Sequence, residues 1–225
     1  MKYFAAFIIL SIFSAGCATV PHQPTISFDS NTFKKGEKIG VYISPTPKIT
    51  TQFPGANCLL CLGVAAAAHS GLTKQVESFK AESLGKVPDV VNNYLKGKGI
   101  EVVKINEMIK KLPKVKPSSG STLAQNYGPY KTQYGIDRLL VINYQRVGVD
   151  RPYSAYVPTA VPHAVITAEF YIVDLATNSY SAYSPISITK EPDGSWDVAP
   201  KYPAITNAFY QAEEQASDLL TKPFK

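Results

Sequence analysis

Cysteine, histidine, tryptophan and long apolar runs are all scarce in this chain. It has 225 residues with three cysteines, three histidines and one tryptophan. A structural zinc site normally shows two closely spaced ligand pairs. Only one such pair is present, Cys58 and Cys61, with His69 nearby and His163 remote in sequence, so no metal site is expected. A glycine-rich phosphate loop, a GxSxG elbow and an HExxH helix are missing as well, which removes the usual signatures of nucleotide, serine-hydrolase and metalloprotease chemistry. The one strongly apolar run, Tyr3 to Phe13, is shorter than the roughly 18 to 20 residues that cross a bilayer. Internal repeats and long low-complexity tracts are absent too.

What is present begins with an export signal. Lys2, the apolar run and the small residues before Cys17 form the charged, hydrophobic and cleavage regions of a secretory leader. The residues "SAGC", Ser14 to Cys17, resemble the lipobox of bacterial lipoproteins, although Ser14 stands where leucine is usual. The resemblance implies cleavage after residue 16, lipidation of Cys17 and, with Ala18 rather than aspartate next, an outer-membrane, periplasm-facing location. Residues 17–35 are then expected as a lipidated flexible tether and 36–225 as a single periplasmic domain. Removing residues 1–16 takes Lys2 and no acid, so the formal net charge falls from +6 to +5. That mild excess, partly in Lys104, Lys110, Lys111, Lys114 and Lys116, reads as a solvated helix end and linker. No nucleic-acid partner is expected.

With 45% hydrophobic residues the chain has the material for a sizeable core. "KIGVYIS" (38–44), "IEVVKI" (100–105), "RLLVINYQRVGV" (138–149), "HAVITAEFYIVDL" (163–175) and "SYSAYSPISITK" (179–190) read as strands. The last two are joined by a hairpin turn at "ATN". Leu72, Val76, Phe79, Leu84, Val87, Val91 and Leu95 keep helical spacing, with a break or kink expected at Gly85 or Pro88. A weaker helix is expected over 121–137. Ala204, Ala208, Ala212, Ala216 and Leu219 line one face of a final helix. The order β-α-β-α-β-β-β-α predicts an α/β (α+β) domain with a mixed sheet of about five strands flanked by helices. This order, with "YGIDRLLVINY" followed by "AEFYIVDLATNSYSAYS", resembles the α/β domain of envelope proteins such as the TolB amino-terminal domain, the curli-secretion lipoprotein and the outer-membrane activators of peptidoglycan synthases. The resemblance implies a protein that binds or assembles rather than an enzyme, with no cofactor.

Two stretches stand out within that frame. "PGANCLLCLGVAAAAHSG" (54–71) places Cys58 and Cys61 at the start of a helix, where a thioredoxin-like motif would sit. Its apolar part, 56–68, is apolar on every side and reads as buried or membrane-facing. A disulfide, buried free thiols and a catalytic dithiol are all open for this pair. His69 reads as a polar helix-end residue and His163 as a strand-start residue. "VDRPYSAYVPTAVPH" (149–163) carries Tyr153, Tyr156, Val157, Pro158 and Val161, an aromatic and apolar set stiffened by proline that suits a partner-binding loop or one folded back on its own domain. Asp137, Asp150, Glu169 and Asp174 lie on or beside strands and are the carboxylates available for acid–base work. The expected function is a non-enzymatic lipoprotein that contacts an envelope partner or its own copies; the alternative is a membrane-anchored thiol-disulfide oxidoreductase using Cys58 and Cys61.

Overall fold

A computed structural model describes residues 23–116 and 123–225. The leader and Cys17 lie outside the described residues. A mixed sheet runs in the order β3-β1-β4-β7-β8. Its strands are β1 (Lys38–Ile43), β3 (Glu101–Lys104), β4 (Arg138–Asp150), β7 (His163–Asp174) and β8 (Ser179–Lys190). Strand β1 is parallel to both β3 and β4, and β4, β7 and β8 form an antiparallel meander. This is the expected α/β architecture. A short strand, β2 (Thr50–Gln52), which sequence reasoning missed, pairs in parallel with Gly148 to Asp150, beyond the end of β1.

Two layers cover the sheet unequally. On one face, α2 (Ser70–Glu77), α3 (Glu82–Gly97) and α5 (Pro203–Thr221) enclose the main core. Val87, Val91 and Leu95 of α3 and Ala208, Phe209, Ala212 and Ala216 of α5 are almost fully buried there. The small residues of α5 allow it to lie close on β7 and β8. On the other face, α4 (Gly128–Tyr134) and Leu123 cover only the amino-terminal half of β4. Tyr127, Tyr130, Tyr171 and Tyr183 crowd this smaller core.

Three expectations need correction. The helical run from Leu72 breaks between Ser78 and Ala81, not at Gly85 or Pro88. Pro88 cannot donate to the Leu84 carbonyl four residues earlier, which would ordinarily disrupt the helix. The Tyr144 hydroxyl donates to that carbonyl at 3.4 Å instead. Nearby, the buried Glu213 carboxylate accepts the Leu84 amide at 2.9 Å, giving one of the free donors at the start of α3 a partner. The lysine-rich stretch is not a helix end: it leaves β3 as irregular chain, with Lys114 bridged to Gln125. The third concerns the segment read as tether. From Gln23 onward it already adds to the domain: Ile26 bridges to Tyr183, and Phe28 packs on Phe33, Phe170 and Phe224.

Candidate functional site: an uncharged apolar end of the sheet

The two stretches that stood out in sequence meet in space. Beyond β2 the chain turns at Gly55, whose φ of +89° and close approach to the Tyr153 carbonyl leave no room for a side chain. Backbone bonds from Arg151 to Gln52, Tyr153 to Pro54 and Ala155 to Gly55, of 2.7 to 3.1 Å, zip this segment against the chain that follows β4. There a miniature hairpin forms from β5 (Tyr153–Ser154) and β6 (Val157–Pro158). Its two-residue turn, Ala155 and Tyr156, sets Ala155 in the left-handed region at φ 53°. The prolines frame this hairpin rather than prevent it: Pro152 precedes it, and Pro158 ends its only ladder.

Helix α1 (Leu59–Ala68) stands beside that hairpin. Only Cys61 and Ala65 face inward, onto Phe53, Ala56 and Tyr153. Of the two readings of 56–68, buried or membrane-facing, burial within the domain is corrected: most of α1 is in the open. Leu59 is 89% exposed, Leu60 67%, Leu62 45% and Val64 46%, and on the hairpin Val157 is 64% and Tyr156 50% exposed. Residues 53–73 and 152–162 contain no charged side chain. Soluble domains rarely expose contiguous apolar surface of this kind unless it is used.

Cys58 is the N-cap of α1, and its sulfur accepts the Cys61 amide at 2.9 Å. The two sulfurs are joined as a disulfide, with the Cα atoms 5.0 Å apart. The Tyr156 hydroxyl lies 3.6 Å from the Cys58 sulfur and ties the hairpin tip to the helix start. At the other end of α1, His69 Nε2 pairs with the Tyr153 hydroxyl at 2.8 Å, stacks on Phe53 and meets the edge of Trp196. The Arg151 guanidinium sits 4.9 Å over Trp196 and donates to the Ala160 carbonyl. Burial, and then the Arg151 charge, hold the His69 pKa below its ordinary 6.5.

A groove of about 540 Å³ adjoins the patch between α1, α2 and β2. Phe53, Leu62 and Ala66 supply its apolar wall, and Lys74 and Glu77 its rim. The buried hydroxyls of Thr51 and Thr73 also line it and have no partner among the described residues.

Of the loop residues singled out in sequence, Tyr156, Val157, Pro158 and Val161 are exposed together at this end. Tyr153 is corrected: it is buried beneath α1 and holds the loop in place. His163 opens β7, apart from Cys58 and Cys61. Among the described residues no group of His, Cys, Asp or Glu is arranged to hold a metal ion. The carboxylates do not pair as acid and base. Asp150 binds Arg146 at 2.7 Å, Asp174 binds Arg138 at 3.0 Å, and Asp137 accepts the Lys38 amide at 3.1 Å. Glu169 faces the tyrosine cluster, where burial and then its charge raise the Tyr183 pKa.

No protein-family model matches the chain, and no curated protein does. Among solved structures it is similar to the protein XCC0632 of Xanthomonas campestris (15% identity, 89% of this chain and 92% of that one, TM-score 0.35). It is also similar to the PelC dodecamer of Paraburkholderia phytofirmans (10%, 90% and 97%, TM-score 0.33). Lipoprotein GNA1162 of Neisseria meningitidis gives 12% identity over 78% of this chain and 96% of that one, with a TM-score of 0.25. At this distance the likenesses carry no argument about function, which rests on the chain's own residues. Among the described residues no helix is long and apolar enough to cross a membrane.

Proposed function

We propose that this chain is a non-enzymatic, lipid-anchored outer-membrane protein, facing the periplasm, that binds or helps assemble another component of the cell envelope. The surface formed by α1 and the β5–β6 hairpin is its contact. One observation carries the reading: a ten-residue helix without a charge turns Leu59, Leu60, Leu62 and Val64 to the outside, beside the exposed Tyr156 and Val157 of an equally uncharged hairpin. Such a surface in water is costly at about 25 cal/mol per Å², and covering it gains that amount back. The resemblance of the leader to lipoprotein signals and of the α/β domain to envelope assembly proteins supports the same reading.

The test is a photo-reactive benzophenone residue placed at Leu60 or Val157 in the exported protein. The expected result is adducts to an envelope component, whether protein, lipid or a second copy, from both positions but not from the exposed Gln215 on α5. Adducts from Gln215 alone, or from none of the three, would overturn the reading. The oxidoreductase alternative has one observation in its favour, the placement of Cys58 at the N-cap, where the helix start stabilises a thiolate. Cycling of the pair with glutathione at an ordinary cytosolic or periplasmic potential, with an acidic Cys58 thiol, would favour it.

A further inference from the structure

We infer that the component covered by α1 and the hairpin is the bilayer that carries the chain's own acyl anchor, with Leu59, Leu60 and Val157 entering the boundary between headgroups and acyl chains. This deepens the proposed function and rests on lipidation of Cys17.

Chemistry and shape agree. A protein–protein interface distributes about one hydrogen bond per 100–200 Å² and a polar rim over its area. The outer side of α1 offers no side-chain donor or acceptor between Leu59 and Ala68, so it asks its environment only to be apolar. Among its large side chains exposure is greatest in the first turn, 89% at Leu59 and 67% at Leu60, against 45% at Leu62 and 46% at Val64. The two most exposed leucines thus sit together at the start of the helix, its tip. The Tyr156 hydroxyl lies at the tip itself, against Cys58, and at the far end of α1 stands Trp196 beside His69, with Arg151 over its ring. Lys74 stands on the rim of the adjoining groove. Amphipathic aromatic rings and long cations are what the headgroup region accommodates.

The path of the chain brings the anchor to the same end. The Ile26–Tyr183 bridge is antiparallel, so the residues before Ile26 run alongside β8 toward Lys190. Lys190 lies beside Ala164, at the start of β7 and next to the hairpin. Continuing that register sets Pro24 opposite Pro185. Neither has an amide hydrogen, so the ladder stops there. The same register sets Gln23 level with Ile186, four residues short of Lys190, or about 13 Å at 3.3 Å per residue. The six Cα–Cα steps from Cys17 to Gln23 span at most about 20 Å. The acylated cysteine therefore reaches the Lys190 end of the sheet, the end that carries the hairpin and α1, and tethering keeps that end at a high effective concentration near lipid, so that even weak insertion is populated.

The test uses the natively acylated full chain reconstituted in phosphatidylethanolamine–phosphatidylglycerol vesicles with brominated acyl chains. Leu60→Trp adds an indole at the tip, and Gln215→Trp adds one on the exposed side of α5. The expected result is loss of the fluorescence added by Leu60→Trp, relative to unbrominated vesicles, with no loss for Gln215→Trp. Adding Leu59→Asp and Val157→Asp to Leu60→Trp should abolish the quenching while the circular dichroism stays unchanged. An unquenched Leu60→Trp overturns the inference. Benzophenone adducts from Leu60 to a protein or to a second copy would then leave the assembly reading standing with a different occupant; their absence would remove both.

Discussion

Helices α1 and α5 both carry four alanines, yet α5 buries its alanine stripe, with Leu220 rather than the expected Leu219 completing the buried face and Tyr210 and Leu219 left partly exposed, whereas α1 displays most of its apolar residues. In α5 the alanines recur every four residues, so a single stripe meets β7 and β8 while Gln211, Glu214, Gln215 and Asp218 face water. In α1 the residues on every side are apolar, and only one side has a partner inside the domain. The core thus takes from α1 only Cys61 and Ala65, and the remaining leucines serve no internal purpose. An amphipathic helix reports where its own domain is. A helix that is apolar all round, with only Cys61 and Ala65 buried among the described residues, does not owe its outer residues to the packing of its own domain.

The comparison is broken most directly by deleting the same kind of side chain from each region. Phe209→Ala on α5 removes a fully buried ring that packs, tilted by 35°, on Phe79 with the centroids 4.8 Å apart. It should lower stability by about 3–5 kcal/mol, read as a shift of the urea midpoint. Replacing both Cys58 and Cys61 by serine opens the short loop that fixes the start of α1, at about 2 kcal/mol on loop-closure entropy. Hydrogen exchange should locate that loss in α1 and the hairpin, leaving α5 protected. Tyr144→Phe leaves the Leu84 carbonyl without the donor that replaces the missing Pro88 amide. It should cost about 1 kcal/mol, and Pro88→Ala in the same chain should recover much of it by restoring the helical bond.

That last pair also shows what a sequence can and cannot disclose. The strand order and the faces of α3 and α5 were legible because they rest on local periodicity: Leu84, Val87, Val91 and Leu95 repeat at helical spacing whatever else the chain does. The helix break was misplaced because the group that replaces the missing Pro88 donor, Tyr144, and the group that caps the start of α3, Glu213, lie 60 and 129 residues from Leu84 in sequence. The candidate site was legible in its parts. The lack of charge in 53–73 and 152–162 could be read directly, whereas their adjacency could not, because it depends on β2 and Gly55 aligning with the end of β4. Tyr153 looked like a contact for the same reason: nothing local says that it points under α1 toward His69. The tether was read as open chain because the partners that tie Ile26 and Phe28 to the domain, in α3, β7, β8 and the carboxyl-terminal turn, are remote in sequence.

A shallower effect is expected from pH. Because burial and Arg151 hold the folded His69 pKa below 6.5, the unfolded chain takes up the proton first as pH falls. The stability contributed by neutral His69 is complete above pH 6.5, declines as the pH drops below it and levels off below the lowered folded value. The urea midpoint should therefore be lower at about pH 5.5 than at about pH 7.5, and His69→Gln should flatten the difference. A midpoint that rises on acidification would contradict the placement of His69 beside Arg151.

The smallest expected effect sharpens the contrast most. Leu59→Ser with Leu60→Ser removes two large apolar side chains that are 89% and 67% exposed, so in detergent-free solution the unfolding free energy should change by no more than about 0.5 kcal/mol. A leucine pair that the fold does not need is free to be serine, and serine would keep the domain more soluble. If the double variant instead loses several kcal/mol, α1 is part of the core, and its resemblance to α5 is closer than its exposure suggests. If stability holds while the benzophenone adducts at Val157 disappear, the leucines are there for what lies beyond the domain.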